Sequence, residues 1–418
     1  MQGLNQQCLL RSSSPLRIIT LGIVVGLLAA PFPAFADLKF TPSLTVSERY
    51  DSNVLFISGG TDKDDFVTIV SPGLSASYRG RPVEGTLSGG LSISSYAIHS
   101  DLNYVSATGG LTVDLTQLVK RLDKRAQLQI ADNVYYTPEL PPFVNSTVGL
   151  SPFSTGIQTP RARAFTNTSS ATGGYTLTPH VDLTAAYSYS ILNFGNTIGA
   201  PPQTGVPGQN TLFRTISQSA SAGPNVTLTA RDTLNLQALY QNVDFNGGAA
   251  GGFHTEGGTV GLTHSFSPQL SGKIAGGATL ISPSDRIAPL GSLSLSWSEK
   301  STTTTFSFTR SVTPSFVIAA TALESNLVLL AVTHGFTDRL TGSADVYYAR
   351  SSSVISSTSG ANLLFESYAA DFSLRYSINR WLSGTFSYSH AQFKEGTQNS
   401  TTSFPRDLVT LSLTATWL

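Results

Sequence analysis

Asp407-Leu-Val-Thr-Leu-Ser-Leu-Thr-Ala-Thr-Trp-Leu418 ends the chain with an apolar side chain at every second position. Val409, Leu411, Leu413, Ala415 and Trp417 form one set, and Thr410, Ser412, Thr414 and Thr416 fill the gaps. A period of two is a strand with one greasy and one wet face. Such a strand at the end of an exported chain suits a membrane β-barrel. Its last strand must close on its first, because a backbone edge left open to lipid has no hydrogen-bond partner. The expectation that follows is an all-β, transmembrane, antiparallel up-and-down barrel in a bacterial outer membrane.

The amino terminus supports export. Arg11 and Arg17 precede an apolar run from Ile18 to Ala30, and Ala34-Phe35-Ala36 places small residues at a cleavage site. This predicts a signal peptide over residues 1–36 and a single barrel domain over 37–418. The run is too short to cross a bilayer as a helix. Cys8 is the only cysteine and lies in the leader, so the mature chain has neither a disulfide framework nor a thiolate metal site. The leader holds two arginines and no acid, which leaves the mature chain two charges negative. Nothing here points to nucleic acid. Charged residues are 12% of the chain, about half the share of a soluble domain, yet no mature segment is apolar enough for a membrane helix.

Strand-like segments are separated by alternately short and long connections. The short ones include Thr178-Pro-His180, Ser267-Pro-Gln269 and Thr337-Asp-Arg339; the longest spans Pro138 to Pro160. The rhythm predicts about 18 strands (16–20) and places both termini in the periplasm. Face assignments follow from alternation: Val181, Leu183, Ala185, Tyr187 and Tyr189 oppose Asp182, Thr184, Ser188 and Ser190. A polar lumen is expected, with Asp114, Asp182, Lys273, Asp345, Asp371 and Arg375 lining the pore, since charge facing lipid is costly. Tyr187, Tyr189, Tyr348, Tyr376, Trp297, Trp381 and Trp417 are read as aromatic girdles near strand ends. The Pro138–Pro160 loop is expected at the surface rather than as a constriction.

No catalytic constellation emerges. The six histidines, His99, His180, His254, His264, His334 and His390, are scattered, and no nucleophile elbow or His-Glu-x-x-His motif is present. The expectation is a non-enzyme with no cofactor and no metal.

The segments Glu48-Arg-Tyr-Asp-Ser-Asn-Val-Leu-Phe56 and Asp62-Lys-Asp-Asp-Phe-Val-Thr-Ile-Val-Ser-Pro-Gly-Leu74 resemble the start of porin-like outer-membrane β-barrel proteins associated with exopolysaccharide biosynthesis and export loci. The positions that match are Tyr50, Asp51, Asn53, Asp65, Pro72, Gly73 and Leu74. Read as residues alone, Asp51, Asn53, Asp62, Asp64 and Asp65 form a solvated turn with Asx-type hydrogen bonds in preference to a calcium loop. Outer-membrane chains commonly end in an aromatic residue, and this chain departs from that pattern, with Trp417 followed by Leu418. The resemblance implies a porin-like channel serving polymer export. Weakly charged solutes would suit the sparse lumen charge. The alternatives are a non-conducting scaffold barrel of an envelope or export complex and, less well supported, a lipid-modifying enzyme. Expected partners are outer-membrane lipid, lipopolysaccharide, the barrel-insertion machinery and polysaccharide-export components.

Overall fold

The structure is a computed structural model, and it describes residues 37–61, 63–80, 82–143, 155–159, 161–198, 212–246, 251–317, 321–354, 362–397 and 400–417. The expected signal peptide, Asp62 and Leu418 lie outside the described residues.

Alternating sequence becomes strand along nearly the whole described chain. The strands are β1 (Asp37–Asp51), β2 (Asp65–Arg79), β3 (Glu84–Tyr96), β4 (Tyr104–Asp114), β5 (Ala126–Thr137) and β6 (Ala162–Thr178). They continue as β7 (Val181–Thr197), β8 (Arg214–Thr227), β9 (Asp232–Asn246), β10 (Phe253–Ser265), β11 (Leu270–Ser282) and β12 (Arg286–Glu299). The remainder are β13 (Thr302–Ser315), β14 (Thr321–Gly335), β15 (Leu340–Ser353), β16 (Leu363–Ser377), β17 (Leu382–Thr397) and β18 (Ser400–Thr416). One short helix, α1 (Thr116–Val119), sits in the turn after β4. Each strand pairs antiparallel with its sequence neighbours, and β1 pairs with β18, so the 18-stranded sheet is closed. Short turns gather at one end, the turn end, with Asp37 and Trp417; long connections gather at the other, the loop end.

Closure is made by the carboxyl-terminal strand. Leu44, Val46, Glu48 and Tyr50 face Ala415, Leu413, Leu411 and Val409 in register, and the Trp417 amide donates to the Pro42 carbonyl at 3.0 Å. On the lumen side of this seam the Thr45 and Thr414 hydroxyls meet at 3.0 Å. Leu411 and Leu413 are 65% and 50% exposed, as lipid-facing side chains are in a chain without its membrane. Leu413→Arg is therefore expected to cost roughly 2–4 kcal/mol. Urea titration of barrel refolded into vesicles measures it; Thr414→Arg, pointing into the lumen, serves as the mild comparison.

Aromatic side chains ring the turn end on the outer face: Trp297, Phe266, Phe336, Tyr376, Trp381 and Trp417 are all exposed. Tyr187 and Tyr189 do not belong to a girdle. They lie in the middle of β7, seven and nine residues into a 17-residue strand. Strand-end position cannot be judged when a strand runs several residues past the bilayer.

Candidate functional site in the barrel lumen

The lumen differs along its axis. Its turn-end half is polar, as alternation predicts: Thr184, Asn225, Asn235, Gln237 and Thr263 form a hydrogen-bonded lattice across β7 to β10. Its loop-end third is not. Leu192, Val243, Phe245, Phe253, Ile281, Leu363, Phe365, Phe393 and Phe404 turn inward there and are buried. The expectation of a polar lumen fails here for a physical reason. Greasy inward side chains are stable only if something apolar covers them, and chain folded into the barrel does so.

Three segments provide that cover. The connection from β5 to β6, expected at the surface, enters the lumen instead. Phe143 packs with Tyr347, Ala349, Ala369, Phe393 and Phe404, and Ile157 packs with Leu192, Leu323, Leu363 and Phe365. Its backbone is pinned at both levels: the Ser367 hydroxyl donates to the Gly156 carbonyl at 2.6 Å, and the Gln158 amide donates to Glu395 at 2.8 Å. Gly156 has φ of +80°, and a Cβ placed there would lie 2.3 Å from the Ala349 Cβ. Only glycine permits both that backbone conformation and that approach. In the closed ring, the β15–β17 wall lies nearly opposite β5 and β6. The segment therefore crosses the lumen.

The second segment is the tip of the β13–β14 hairpin. β13 pairs with β14 as far as Ser315 and Thr321, but its pairing with β12 stops at Gly291 and Arg310. Beyond that level the wall laps over itself. Val312 and Ala322 pack against inward residues of β9 to β12, while Phe316, Val317 and Leu323 pack toward Ile157 and Leu192. Arg286 bridges the lap by donating to the Val354 carbonyl at 2.8 Å. The third segment follows β1 and brings Val54 and Phe56 onto Val67, Tyr96 and Phe393.

A buried charge network ties this plug to the closing seam. Arg406 of β18 donates to both carboxylate oxygens of Asp51 on β1, at 3.0 and 2.6 Å, and to Glu139 at 2.6 Å. Arg161 lies 3.3 Å from Glu139, donates to the Val54 carbonyl at 3.0 Å and to the Tyr96 hydroxyl, and stands over the Phe56 ring. Arg49 approaches Glu139 from β1 at 3.9 Å. Burial alone would raise the Glu139 pKa. The guanidiniums of Arg406, Arg161 and Arg49 outweigh burial and hold that carboxyl well below the usual carboxylate range.

The motif residues near the amino terminus thus acquire structural roles. Asp51 and Asp65 are buried, not solvated. Asp65 accepts the backbone N–H groups of Ile98 and His99 and meets the His99 ring, which anchors the β3–β4 connection. Asn53 donates to the carbonyls of Ile57 and Pro405. Tyr50 faces outward against Phe66, with its hydroxyl 3.4 Å from Asp64. Pro72 lies in the gap in the β2–β3 pairing between Val70 and Gly73, and Leu74 is exposed on the outer face. At Gly73 a Cβ would lie 2.8 Å from the Ser43 hydroxyl. What sequence reading missed is the partner set. Glu139, Arg161 and Arg406 are each unremarkable in sequence, and only the closed ring brings them to Asp51.

The predicted pore-lining residues are spread over the lower wall. Asp345 and Asp371 are direct register partners on β15 and β16, on the same face as lumenal Tyr347 and Ala369. Arg375 reaches Ser383 at 3.3 Å near the turn end, Lys273 pairs in register with Thr263, and Asp182 accepts from Thr176 at 2.7 Å. Asp114 sits at the turn-end rim, where it accepts the Thr116 backbone N–H at 2.7 Å and opens α1. Facing carboxylates attract cations. Asp345→Asn with Asp371→Asn is expected to reduce the potassium-over-chloride permeability ratio severalfold, read from reversal potentials under a salt gradient.

Beneath the plug lies a lumenal cavity of about 390 Å³. Its lining mixes the hydroxyl and amide side chains of Ser170, Thr172, Ser188, Ser219, Ser221, Gln241, Thr255, Thr279 and Ser311 with a larger apolar share that includes Ala186, Ala220, Leu239, Leu290 and Val312, and no charged side chain lines it. The histidines stand apart from it. His264 and His390 pair with Asp232 and Asp407, and His334 meets Thr302.

Residues 241–416, less than half of the chain, match the family described as Putative beta-barrel porin 2. No curated protein matches the chain. Among solved structures, OccAB2 of Acinetobacter baumannii is 9% identical with a TM-score of 0.45, covering 91% of this chain and 98% of its own. OpdK of Pseudomonas aeruginosa, solved with vanillate, is 11% identical with a TM-score of 0.43, covering 91% and 99%. The siderophore receptor PirA of Pseudomonas aeruginosa is 10% identical with a TM-score of 0.44, covering 91% and 80%. These likenesses carry no argument about what the chain does. The closed 18-stranded ring with its lipid-type exterior is the fold of a membrane β-barrel, and its second half, residues 241–416, is similar to the family of that description.

Proposed function

We propose that the protein is a restricted diffusion channel that passes small, uncharged polar solutes, with both termini in the periplasm. The observation that carries this reading is the uncharged, amphipathic cavity held under a plug, where hydroxyl and amide side chains stand among apolar ones. Hydroxyl and amide groups replace the hydration of a neutral solute, and they do so without the field that would select an ion. The acidic pair Asp345 and Asp371 lies on the wall toward the turn end and adds a severalfold preference for cations among the ions that enter. Polymer export is the wider form of the same reading. It requires the crossing segment to leave the lumen so that an extended saccharide chain can thread it. Liposome swelling in isosmotic neutral sugars tests the narrower form: swelling is expected to be fast for monosaccharides and to fall off sharply for trisaccharides.

A second reading has its own support. The loop-end packing of Phe143, Ile157 and Phe316 suits a non-conducting barrel that anchors an envelope complex. Planar-bilayer recording separates the two. Steady low conductance favours the channel, and silence in both the wild type and a plug-deleted variant favours the scaffold.

A further inference from the structure

The wall has a window at its loop end, between β4 and β6. Pairing of β4 with β5 stops at Ala107 and Tyr136. Continued, that register would set Val105 opposite Pro138, which has no N–H to give to a ladder. The chain there leaves the wall for the lumen, where Glu139 joins the buried charge network. β6 runs on past this level to Ala162, paired only with β7. The edge of β4 from Tyr104 to Ser106 therefore has no strand beside it. A cavity of about 460 Å³ occupies the window and is lined from both faces of the sheet. Ser94 and Tyr104, partners in register, belong to the lumen side, where Ser94 is buried. Ile93, Val105 and Tyr136 belong to the outer side and are exposed. Arg163 completes the lining; it is exposed and makes no ion pair among the described residues.

Two observations set the height of the window. On the outer face of β6 the rings of Tyr175 and Phe165 are ten residues apart. At about 3.4 Å per residue and a tilt near 40° this is ~26 Å along the barrel axis. An apolar band of about 25 Å between two aromatic belts is the hydrocarbon layer around such a barrel. Tyr136 is the register partner of Phe165, so the window opens at the loop-end belt, with Arg163 just beyond it. Independently, a bare backbone edge is not tolerated in hydrocarbon, which places Tyr104–Ser106 among the headgroups.

We propose that this window binds the phosphorylated sugar headgroup of a glycolipid in the outer leaflet. The proposal rests on the orientation given above, with the loop end outermost. Each part of the lining meets its chemical complement. Arg163 takes the phosphate, because a guanidinium without a carboxylate partner matches phosphate oxygens with two parallel hydrogen bonds. Sugar hydroxyls and amides both donate and accept, as the bare edge of β4 and the Ser94 hydroxyl require. The acyl chains run down the outer face over Ile93, Val105 and Tyr136. A zwitterionic headgroup would bring its own cation toward Arg163, so the charge of the site favours a net anion. Bound in this way, one lipid fills the gap that Pro138 leaves in the wall.

Native mass spectrometry of the protein in detergent, with bisphosphorylated lipid A added as the probe, tests the proposal. The wild type should hold one lipid A, and the dephosphorylated form should bind at least tenfold more weakly. Arg163→Glu should lower lipid A occupancy at least tenfold, and so should Val105→Trp, which fills the cavity. Arg350→Glu, beside Glu366 on an unbroken stretch of wall, should leave occupancy within twofold. Equal binding of the two lipid forms, equal loss at Arg163 and Arg350, or no bound lipid overturns the proposal. If Val105→Trp does not fold, as read by heat-modifiable gel migration, the comparison of the two exposed arginines still decides it. A micelle has no sides, so these results do not depend on orientation. Orientation is read separately, from labelling of Asp101→Cys in the exposed β3–β4 connection by a membrane-impermeant maleimide on intact cells. Labelling without lipid A binding removes the site and keeps the orientation; binding without labelling removes the orientation, and with it the outer leaflet as the source of the lipid.

Discussion

Excision of residues 140–158, with a short glycine–serine bridge joining Glu139 to Thr159, converts the restricted lumen into a wide pore. Single-channel conductance in planar bilayers rises by roughly tenfold or more, since an 18-stranded barrel without a plug leaves an aqueous channel. The boundaries follow from the contacts. Glu139 and Arg161 stay, so Arg406 and Asp51 keep their partners and the closing seam keeps its charge balance. Phe143, Gly156 and Ile157 go, and with them the side chains that bind the plug to β15, β16 and β17. The inward phenylalanines Phe365, Phe393 and Phe404 then meet water, which is the main stability cost, at about 25 cal/mol per Å² of apolar surface exposed. A milder version reaches the same lumen by one residue. Gly156→Val removes the positive-φ glycine and drives a side chain into Ala349 and Ser367. It should produce frequent transitions to the open level while leaving the barrel assembled. An excised variant that conducts no better than the wild type would show that this segment does not set the path.

How much of this was legible beforehand depends on which physical signal was local. The barrel is legible, because a period of two repeated over strand after strand cannot be hidden by tertiary context, and the short turns point to about 18 strands within a range of 16–20, where the structure has 18. The closure of β18 on β1 was legible for the same reason. The plug was not. Pro138, Pro141 and Pro142 read as loop chemistry, and loops are normally at the surface. The signal lay instead in the strands facing the segment. Phe365, Phe393 and Phe404 sit at alternating positions that the turn-end half of each strand assigns to the lumen, and a greasy side chain on a wet face announces that something covers it. Glu139 and Arg406 could not be paired from sequence at all, since they are 267 positions apart and nothing in either neighbourhood marks the other. The aspartates near the amino terminus have the local pattern of a solvated turn, because burial is invisible to local pattern; Asp51 is fully buried only because Arg406 and Arg161 reach it.

The charge network predicts the largest single-residue effect in the molecule. Arg406→Leu removes the cation shared by Asp51 and Glu139 and leaves two carboxylates with reduced compensation in a site closed to water. Loss of one partner from a buried ion pair costs about 3–5 kcal/mol. Here it also loosens both the β1–β18 seam and the plug, so lower urea stability and higher conductance are expected together. Arg406→Lys should recover little, because a point charge cannot reproduce the forked contact with Asp51. Acid should imitate the substitution from the opposite side. The folded-state pKa of Glu139 is depressed by Arg406, Arg161 and Arg49, so its contribution is fully present above the ordinary glutamate value, about 4.3, and is lost as pH falls below that toward the folded value. Conductance of the wild type should accordingly stay flat from neutral pH to about 5 and climb at lower pH. Glu139→Gln should abolish that climb, because a neutral amide has no proton to take up and Arg406 retains Asp51 in either case. A conductance profile that rises with acid equally in the wild type and in Glu139→Gln would place the titrating group elsewhere in the lumen.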